Sequence, residues 1–407
     1  MDQHDVIIIG GGIVGSALAC ALGASGVRVA LVEAREPDLR IGTDPRVYAI
    51  TRASEQIFRS LGVWDAMAAQ PVCAFTDMEV WDAGGEGVLH FDCAELAEPH
   101  LGHIIEPGVI LAALVEKLQA LESVERFCPA RFEHIHIDDD QAEVTLADGR
   151  RLTAQLLAAA DGARSPVREQ LGIEVRRHAY HQTSLVARVK TALPHAATAW
   201  QRFLPGGPLA FLPLADGWCS IVWTLPEADV ERIRALDRDS FHAELGAAFD
   251  HRLGRITDSG ERESWPLVRQ HAVTYVQARV ALLGDAAHAI HPLAGQGVNL
   301  GLLDAAILAG VVLADRALGR DIGRMRTLRQ YARWRRSDNQ LMMMAMDGIN
   351  RLFSNANLPA GRVRNAGLSL VGRAAPVRHA LMRHAMGIAG DLPPLARPSF
   401  KTCAGER

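Results

Sequence analysis

Asp285, His288 and His291 stand within one short stretch, LLGDAAHAIHPLAGQGVNLG, residues 282–301. An acid and two imidazoles so close together suit a transition metal, which prefers such ligands. The residues that follow suit a different partner. Pro292 breaks helical continuity. Gly295 and Gly297 free the backbone to lie against a flat, polar, anionic ligand, and a helix is expected to open near Asn299. A second acid, Asp161, ends the apolar run AQLLAAA and is followed by Gly162. The sequence holds no other cluster at metal-ligand spacing.

The N-terminus favours the second chemistry. In DVIIIGGGIVGSALACALGASGVRVALVEA, residues 5–34, Val6–Ile9 read as a strand buried on both faces. Gly10, Gly12 and Gly15 fit G-x-G-x-x-G, and small and apolar residues at helical spacing follow to about Ala24. VRVALVE reads as a second parallel strand ending at Glu33. Gly10 permits the tight turn, Gly12 the close approach of a pyrophosphate, and Gly15 the packing of helix on strand. The pyrophosphate then meets the free N–H groups of a helix N-terminus. Glu33 is placed to accept from ribose hydroxyls. Strand, turn, helix, strand and acid in this order predict a dinucleotide cradle. The chain does not continue in the repeated βα units of a nicotinamide dehydrogenase. It gives a loop with Arg46, an amphipathic helix and hairpin-like stretches, and returns to a buried strand only at RVALLGDAAHAI, 279–290. Two distant contact points suit a long molecule such as FAD.

The whole chain must position these groups. It has 407 residues, 49% of them hydrophobic, enough for two or three domains. The net charge of −4 gives no reason to expect nucleic acid as a partner. No run of 18 apolar residues is free of charges, so no membrane-spanning helix is expected. The N-terminus lacks a basic n-region and a cleavage site, so no signal peptide is read. Six scattered cysteines without a CxxC suit a reducing cytosol. Charge is uneven: residues 321–407 carry a balance of +10 and residues 1–320 one of −14. A basic tail is either a set of solvated helix faces or an attraction to an anionic surface.

Three motifs in order, Gly10-x-Gly12-x-x-Gly15, AADGARSPVR (159–168) and GDAAHAIHPLAGQGVNLG, give a chain that resembles the single-component FAD-dependent aromatic hydroxylases, the class of para-hydroxybenzoate hydroxylase. More closely, it is similar to the ubiquinone-biosynthesis hydroxylases. DPRVYAITRAS (44–54), WQRFLPGGPLAFLPLADGWCSIVW (200–223), IHPLAGQGVNLGLLDA (290–305) and LFSNANLP (352–359) carry that resemblance. It implies an α/β fold: a Rossmann-like FAD-binding domain of glutathione-reductase type, split in sequence, with an inserted β-rich substrate domain and C-terminal helices. The expected division is 1–75, 100–175 and 271–330 for FAD, 76–99 and 176–270 for substrate, and 331–407 for a helical region. The resemblance also assigns roles. Asp285 would bond the ribityl chain, and Pro292, Gly295 and Gly297 would pass beside the isoalloxazine ring. Arg46 would lie by the ribose or pyrophosphate, Asp161 by the cofactor region, and His103 on the flavin side. His288 and His291 become hydrogen-bonded loop residues, with a direct proton-transfer role as the alternative.

The implied activity is hydroxylation of the aromatic ring of a polyprenylated phenol or benzoquinol in ubiquinone biosynthesis. FAD is bound without a covalent link, reduced by NAD(P)H or another donor, and reacts with O2 to a C4a-hydroperoxide that delivers oxygen. Partners would be the lipophilic phenolic quinone precursor and a quinone-biosynthesis protein complex. The location would be cytoplasmic, with peripheral contact at the inner face of the membrane. Arg324, Arg326, Arg329, Arg333, Arg335 and Arg336 could form the contact face, and Met342, Met343, Met344 and Met346 either core or a lipophilic channel. No catalytic base is identified, although Tyr180 and Tyr275 lie in candidate pocket regions. Three alternatives stand beside this reading: a hydroxylase of a small soluble aromatic compound, a non-catalytic flavoprotein scaffold, and a reductase of double bonds.

Overall fold

The computed structural model describes residues 2–42, 44–85, 87–289, 297–336, 339, 344 and 374–397. A run of β-branched residues buried on both faces makes the first strand, β1 (Val6–Ile9), and a helix, α1 (Ile13–Gly23), follows at once. Three more strands join β1 in parallel: β2 (Val29–Val32), β3 (Val124–Phe127) and β4 (Leu156–Ala159). A fifth, β5 (Val280–Leu282), comes from more than a hundred residues later and pairs in parallel with β4. The sheet order is β5, β4, β1, β2, β3, with Val276–Gln277 antiparallel at its edge. α1 packs on the helix Pro107–Gln119 and on α2 (Gly297–Ala317).

α2 bears on the expectation that no helix spans a membrane. At 21 residues it is long and apolar enough to cross a bilayer. It is nonetheless a core helix: Leu302, Leu308, Ala309 and Val312 are fully buried, and Asp304 is buried with them. Length and apolarity here reflect a helix enclosed by protein.

A nine-stranded sheet forms the second layer. Its centre is the strand Val175–Thr191, paired antiparallel with Cys219–Pro226 and Glu263–Ala272. Strands Asp77–Asp82 and Val88–Asp92 extend it, the first in parallel with Thr198–Leu204. One face buries Leu185, Phe211, Ile221 and Trp223 against the helices Glu227–Ala235 and Arg238–Ala248. The other face meets the loop after β2: Ser220 Oγ donates to Pro45 O (3.0 Å) and Arg188 Nη1 to Gly42 O (3.2 Å). Helical backbone over 325–336 and the helix Ala375–Ala385 complete the described C-terminal part.

The glycine turn after β1 is fixed by contact distances. A Cβ on Gly15 would stand 1.9 Å from Gly10 O, and one on Gly10, at φ +104°, would stand 2.3 Å from Ala160 O. A Cβ on Gly12 would meet no protein atom within 4 Å. Gly15→Ala is therefore expected to destabilise the flavin-free protein by at least about 1–3 kcal/mol, the cost of overpacking. Gly12→Ala should stay within about 1 kcal/mol, because only a capping position changes. Urea unfolding of both variants checks the contrast; equal stability would contradict it.

Candidate cofactor and substrate site

All three sequence motifs fall at the C-terminal ends of adjacent parallel strands, where open α/β sheets bind ligands. Gly10 to Gly15 follow β1, Asp161-Gly162 follows β4, and Gly284-Asp285 follows β5. Sheet order places β4 between the other two. A Cβ on Gly284 would lie 3.4 Å from Val14 Cγ2, so the third motif packs directly on the first turn of α1.

Each group offers something a dinucleotide can use. No side chain caps α1 at Gly12 and no acid stands in its first turn, which leaves its N–H groups for an anion. Glu33, at the end of β2, accepts the Gly11 N–H (2.7 Å) and the Arg35 N–H (3.0 Å). A carboxylate has about four lone-pair sites, so capacity remains for hydroxyl donors. Asp161 Oδ2 accepts the Val167 N–H (3.0 Å), while its Oδ1 is buried with no hydrogen-bond partner among the described residues. Burial pushes the Asp161 carboxyl up, against the Ser165 and Val167 hydrogen bonds. Asp285 has an exposed surface, yet desolvation raises its carboxyl pKa, with the charge of Asp304 adding to the rise. It is open to water with protein packed closely around it. The orphaned oxygen of Asp161, the open space at Gly12 and the uncapped helix fit a dinucleotide cofactor.

Arg46 is half exposed, ion-paired with Asp44 (2.6 Å), and its guanidinium lies 5.3 Å from the Trp265 ring centre. Tyr48 feels the charges of both Arg46 and Asp285, although burial is the main cause that raises its pKa. Arg46 and Asp285 therefore share one region. Asn299, in the first turn of α2, accepts the Thr51 N–H at Oδ1 (3.0 Å) and donates to Ala49 O (2.8 Å). Its amide pins the strand Tyr48–Thr51 to α2. Gly297 is the first described residue of α2; Pro292, Gly295 and His291 lie outside the described residues.

The residues that join the motifs were not singled out from the sequence. Arg168, itself within the second motif, is buried; its Nη1 donates to Ala286 O (2.8 Å) and its Nη2 to Ala163 O (2.9 Å). Gln270 Nε2 donates to Ala163 O (2.8 Å) and Asp285 O (3.3 Å). These side chains clamp the second motif to the third. The arginine at the end of AADGARSPVR was a usable signal; Gln270 had none.

The two histidine questions receive different answers. His288 is buried and bonded to Asp304 Oδ2 at 2.6 Å, so its ring points into the core and away from a metal shared with Asp285. A metal-like cluster does occur elsewhere: Glu55, His100 and His103 bring their ligand atoms within 4.8 Å of one another. Its cation is already present. Arg52 Nη1 donates to Glu55 (2.6 Å) and bonds His100 Nε2 (3.1 Å), and Arg59 Nε donates to Glu55 (2.9 Å). Desolvation opposes ionisation of Glu55, but His103 and the arginines hold its pKa at about 2. His103, expected on the flavin side, belongs to this cluster and packs on Trp64 with ring centres 4.8 Å apart. Tyr275 is also relocated: it is 1% exposed, behind the third motif, with its ring near His288. Met344 is exposed; Met342, Met343, Met346 and LFSNANLP lie outside the described residues.

On the second sheet, one cross-strand row faces the cofactor side. Val80, Gln201, Ala210, Val222 and Val186 are successive partners across it. Val222 lies two residues from Ser220, which bonds the Pro45 loop, so both share that face. These five carry no charge, but the next partner across, Glu263, does, and Arg188, two residues from Val186, shares the face. Arg202, the one basic side chain of the 200–223 stretch, points the other way and donates to Ala247 O and Ala248 O.

Comparison with known proteins agrees with this geometry. The FAD binding domain family model matches residues 3–344. Ubiquinone hydroxylase UbiL of Rhodospirillum rubrum is 40% identical over 387 residues, covering 94% of this chain and 89% of the relative. The 3-demethoxyubiquinol 3-hydroxylase of Escherichia coli is 38% identical over 94% of this chain and 98% of its own. Among solved structures, p-nitrophenol 4-monooxygenase PnpA of Pseudomonas putida shares the fold at TM-score 0.79 and 23% identity, covering 96% of this chain and 100% of that one. With those relatives the resemblance read from the motifs is borne out: the chain belongs to the FAD-dependent monooxygenase family of the ubiquinone-biosynthesis hydroxylases.

Proposed function

We propose that this enzyme hydroxylates the aromatic ring of a polyprenylated phenol or benzoquinol, using O2 and electrons from NAD(P)H or another donor. The observation that carries the substrate class is the uncharged run Val80, Gln201, Ala210, Val222 and Val186 on the face that meets the Pro45 loop, with Arg202 on the opposite face and the nearest cation, Arg188, already paired with Asp216. A carboxylated soluble aromatic would need a cation there; an apolar ring with a prenyl tail would not. The bound flavin supplies the oxygen-activating chemistry.

The chain's own residues bind, orient and exclude water. The α1 N-terminus and Gly12 take the pyrophosphate. Glu33 takes the ribose, Asp285 the ribityl hydroxyls, and Arg46 and Asp161 flank the cofactor. The backbone around Pro292, Gly295 and Gly297 lines the ring edge, with Asn299 holding the start of α2 against it. Residues 1–75, 100–175 and 271–330 act as the cofactor part, and 76–99 with 176–270 as the substrate part. A substrate with a membrane-soluble tail is met at an anionic surface or handed over by a partner protein. Arg326, Arg329, Arg333 and Arg336 are exposed, and Arg324 is exposed beside Asp321. Arg335 is buried and leaves that face.

The reaction is tested by incubating FAD-loaded enzyme with NAD(P)H, O2 and either a prenylated phenol or para-hydroxybenzoate. A product 16 mass units heavier from the prenylated ring alone is expected. Turnover of the soluble acid alone, a gain of 2, or no oxidation at all would each support one of the rival readings. Asp285→Ala should weaken FAD binding about 10- to 150-fold, the worth of a charge-assisted hydrogen bond, as read by flavin fluorescence. Gly12→Ala should lose FAD affinity with little loss of fold, because its new methyl occupies the pyrophosphate approach. Val222→Glu should keep FAD affinity and lose prenylated-substrate turnover. Co-sedimentation with anionic vesicles should fall at high salt and on changing the five exposed arginines to glutamine; binding indifferent to both would remove the electrostatic route.

A further inference from the structure

Asp304 lies on α2, buried completely, and its hydrogen-bond partners Gly284, His288, Arg335 and Asn339 are all buried too. Its Oδ2 accepts the Gly284 N–H at 2.9 Å and the His288 Nε2–H at 2.6 Å. Gly284 and His288 are the two ends of the turn whose exposed apex is Asp285. One oxygen therefore closes that turn. The other oxygen, Oδ1, accepts from Arg335 Nε at 2.6 Å. Arg335 is buried in turn, and its Nη2 donates to Asn339 Oδ1 (2.5 Å) and Leu300 O (3.4 Å). Tyr331 donates its hydroxyl to Leu282 O (2.7 Å), at the end of β5.

We propose that Asp304 is a positioning residue for the cofactor, stapling the 284–288 turn from behind, and that Arg335 holds the staple. By this inference Tyr331, Arg335 and Asn339 help set cofactor affinity without touching the cofactor. It rests on the reading of Asp285 as a cofactor ligand. The chemistry supports a closed turn in one geometry. Desolvation opposes the charge on Asp304, yet His288 and Arg335 hold its pKa at about 2, so it stays an acceptor at both oxygens. Gly284 has φ +53°, and its Cα packs against the site where a Cβ on Gly301 would lie, 3.3 Å away. With no Cβ on Gly301 the turn already lies close on the α2 backbone and has little room to move further toward it.

The test uses the full chain and three variants. Asp304→Asn removes the charge. Asp304→Asn with Arg335→Met removes both charges, so that no buried ion is left alone, a change that is often neutral for stability. His288→Phe frees one end of the turn and keeps the Asp304–Arg335 pair. Three quantities are read: FAD affinity, the visible circular dichroism of bound flavin, and the exchange rate of the Gly284 amide in the flavin-free protein. Each variant should weaken FAD binding about tenfold or more and alter the dichroism, and Asp304→Asn should speed Gly284 exchange. The loss of affinity should not follow the melting temperature of the flavin-free protein. A folded variant that binds FAD within about twofold of wild type, or a loss that tracks melting temperature across the set, overturns the staple. So does failure of all three to fold, which would make the network part of the core alone. Wild-type protein that takes up no FAD would count against the cofactor reading instead, and Gly284 exchange would still decide the staple.

Discussion

A carboxylate shut away from water keeps its charge only when donors surround it. Asp304 meets that condition through two other parts of the chain: the turn after β5, by the Gly284 N–H and the His288 ring, and the Arg335 guanidinium. Leaving any one of these out would strand a charge in the core. The penalty therefore ties the turn after β5, the start of α2 and the segment beyond residue 330 into a single arrangement. The third cofactor motif has its shape because this arrangement has one low-energy solution.

The parallel sheet extends the same constraint sideways. β4 lies between β1 and β5, so three turns distant in sequence emerge side by side. Arg168 and Gln270 then lock the second turn to the third through backbone carbonyls, and Val14 wedges the first against Gly284. Carbonyls are suitable partners for a buried arginine here. They satisfy its donors without placing a second carboxylate near Asp161 and Asp285, whose pKa values are already raised by burial.

What could be read from the sequence was what is local in it. Gly10, Gly12, Gly15 and Glu33 are joined by one short βαβ unit, and spacing alone conveys their chemistry. Asp161 and Asp285 were legible because each ends an apolar strand. Asp304, Gln270 and the Glu55–His100–His103 group were not, because their partners lie far apart in sequence. Two misreadings have the same origin. Arg335 looked like one of six similar surface arginines, and only its meeting with Asp304 sets it apart. Tyr275 looked available to a pocket because it is near the third motif in sequence, but it lies behind that motif in space. The apolar length of α2 was ambiguous for a different reason. Burial in protein and burial in lipid ask for the same side chains, and only the buried ion pair on its inner face distinguishes the two.

The second sheet converts strand parity into substrate chemistry. Alternate side chains on a strand face opposite ways, so residues 200–223 serve two masters. Trp223, Ile221 and Phe211 build a core with the helices behind, and Val222, Ala210 and Gln201 are left for the cofactor side. A slip of one residue would bring Arg202 and the large aromatics to the front. The Ser220–Pro45 and Arg188–Gly42 hydrogen bonds hold the register at the point where the sheet meets the cofactor loop. The five residues from Val80 to Val186 form an uncharged strip on that front, and Arg188 beside them is already paired with Asp216. Along that strip, binding comes from apolar contact rather than from an ion, and the alternation of side chains that puts the aromatics behind is what leaves it so.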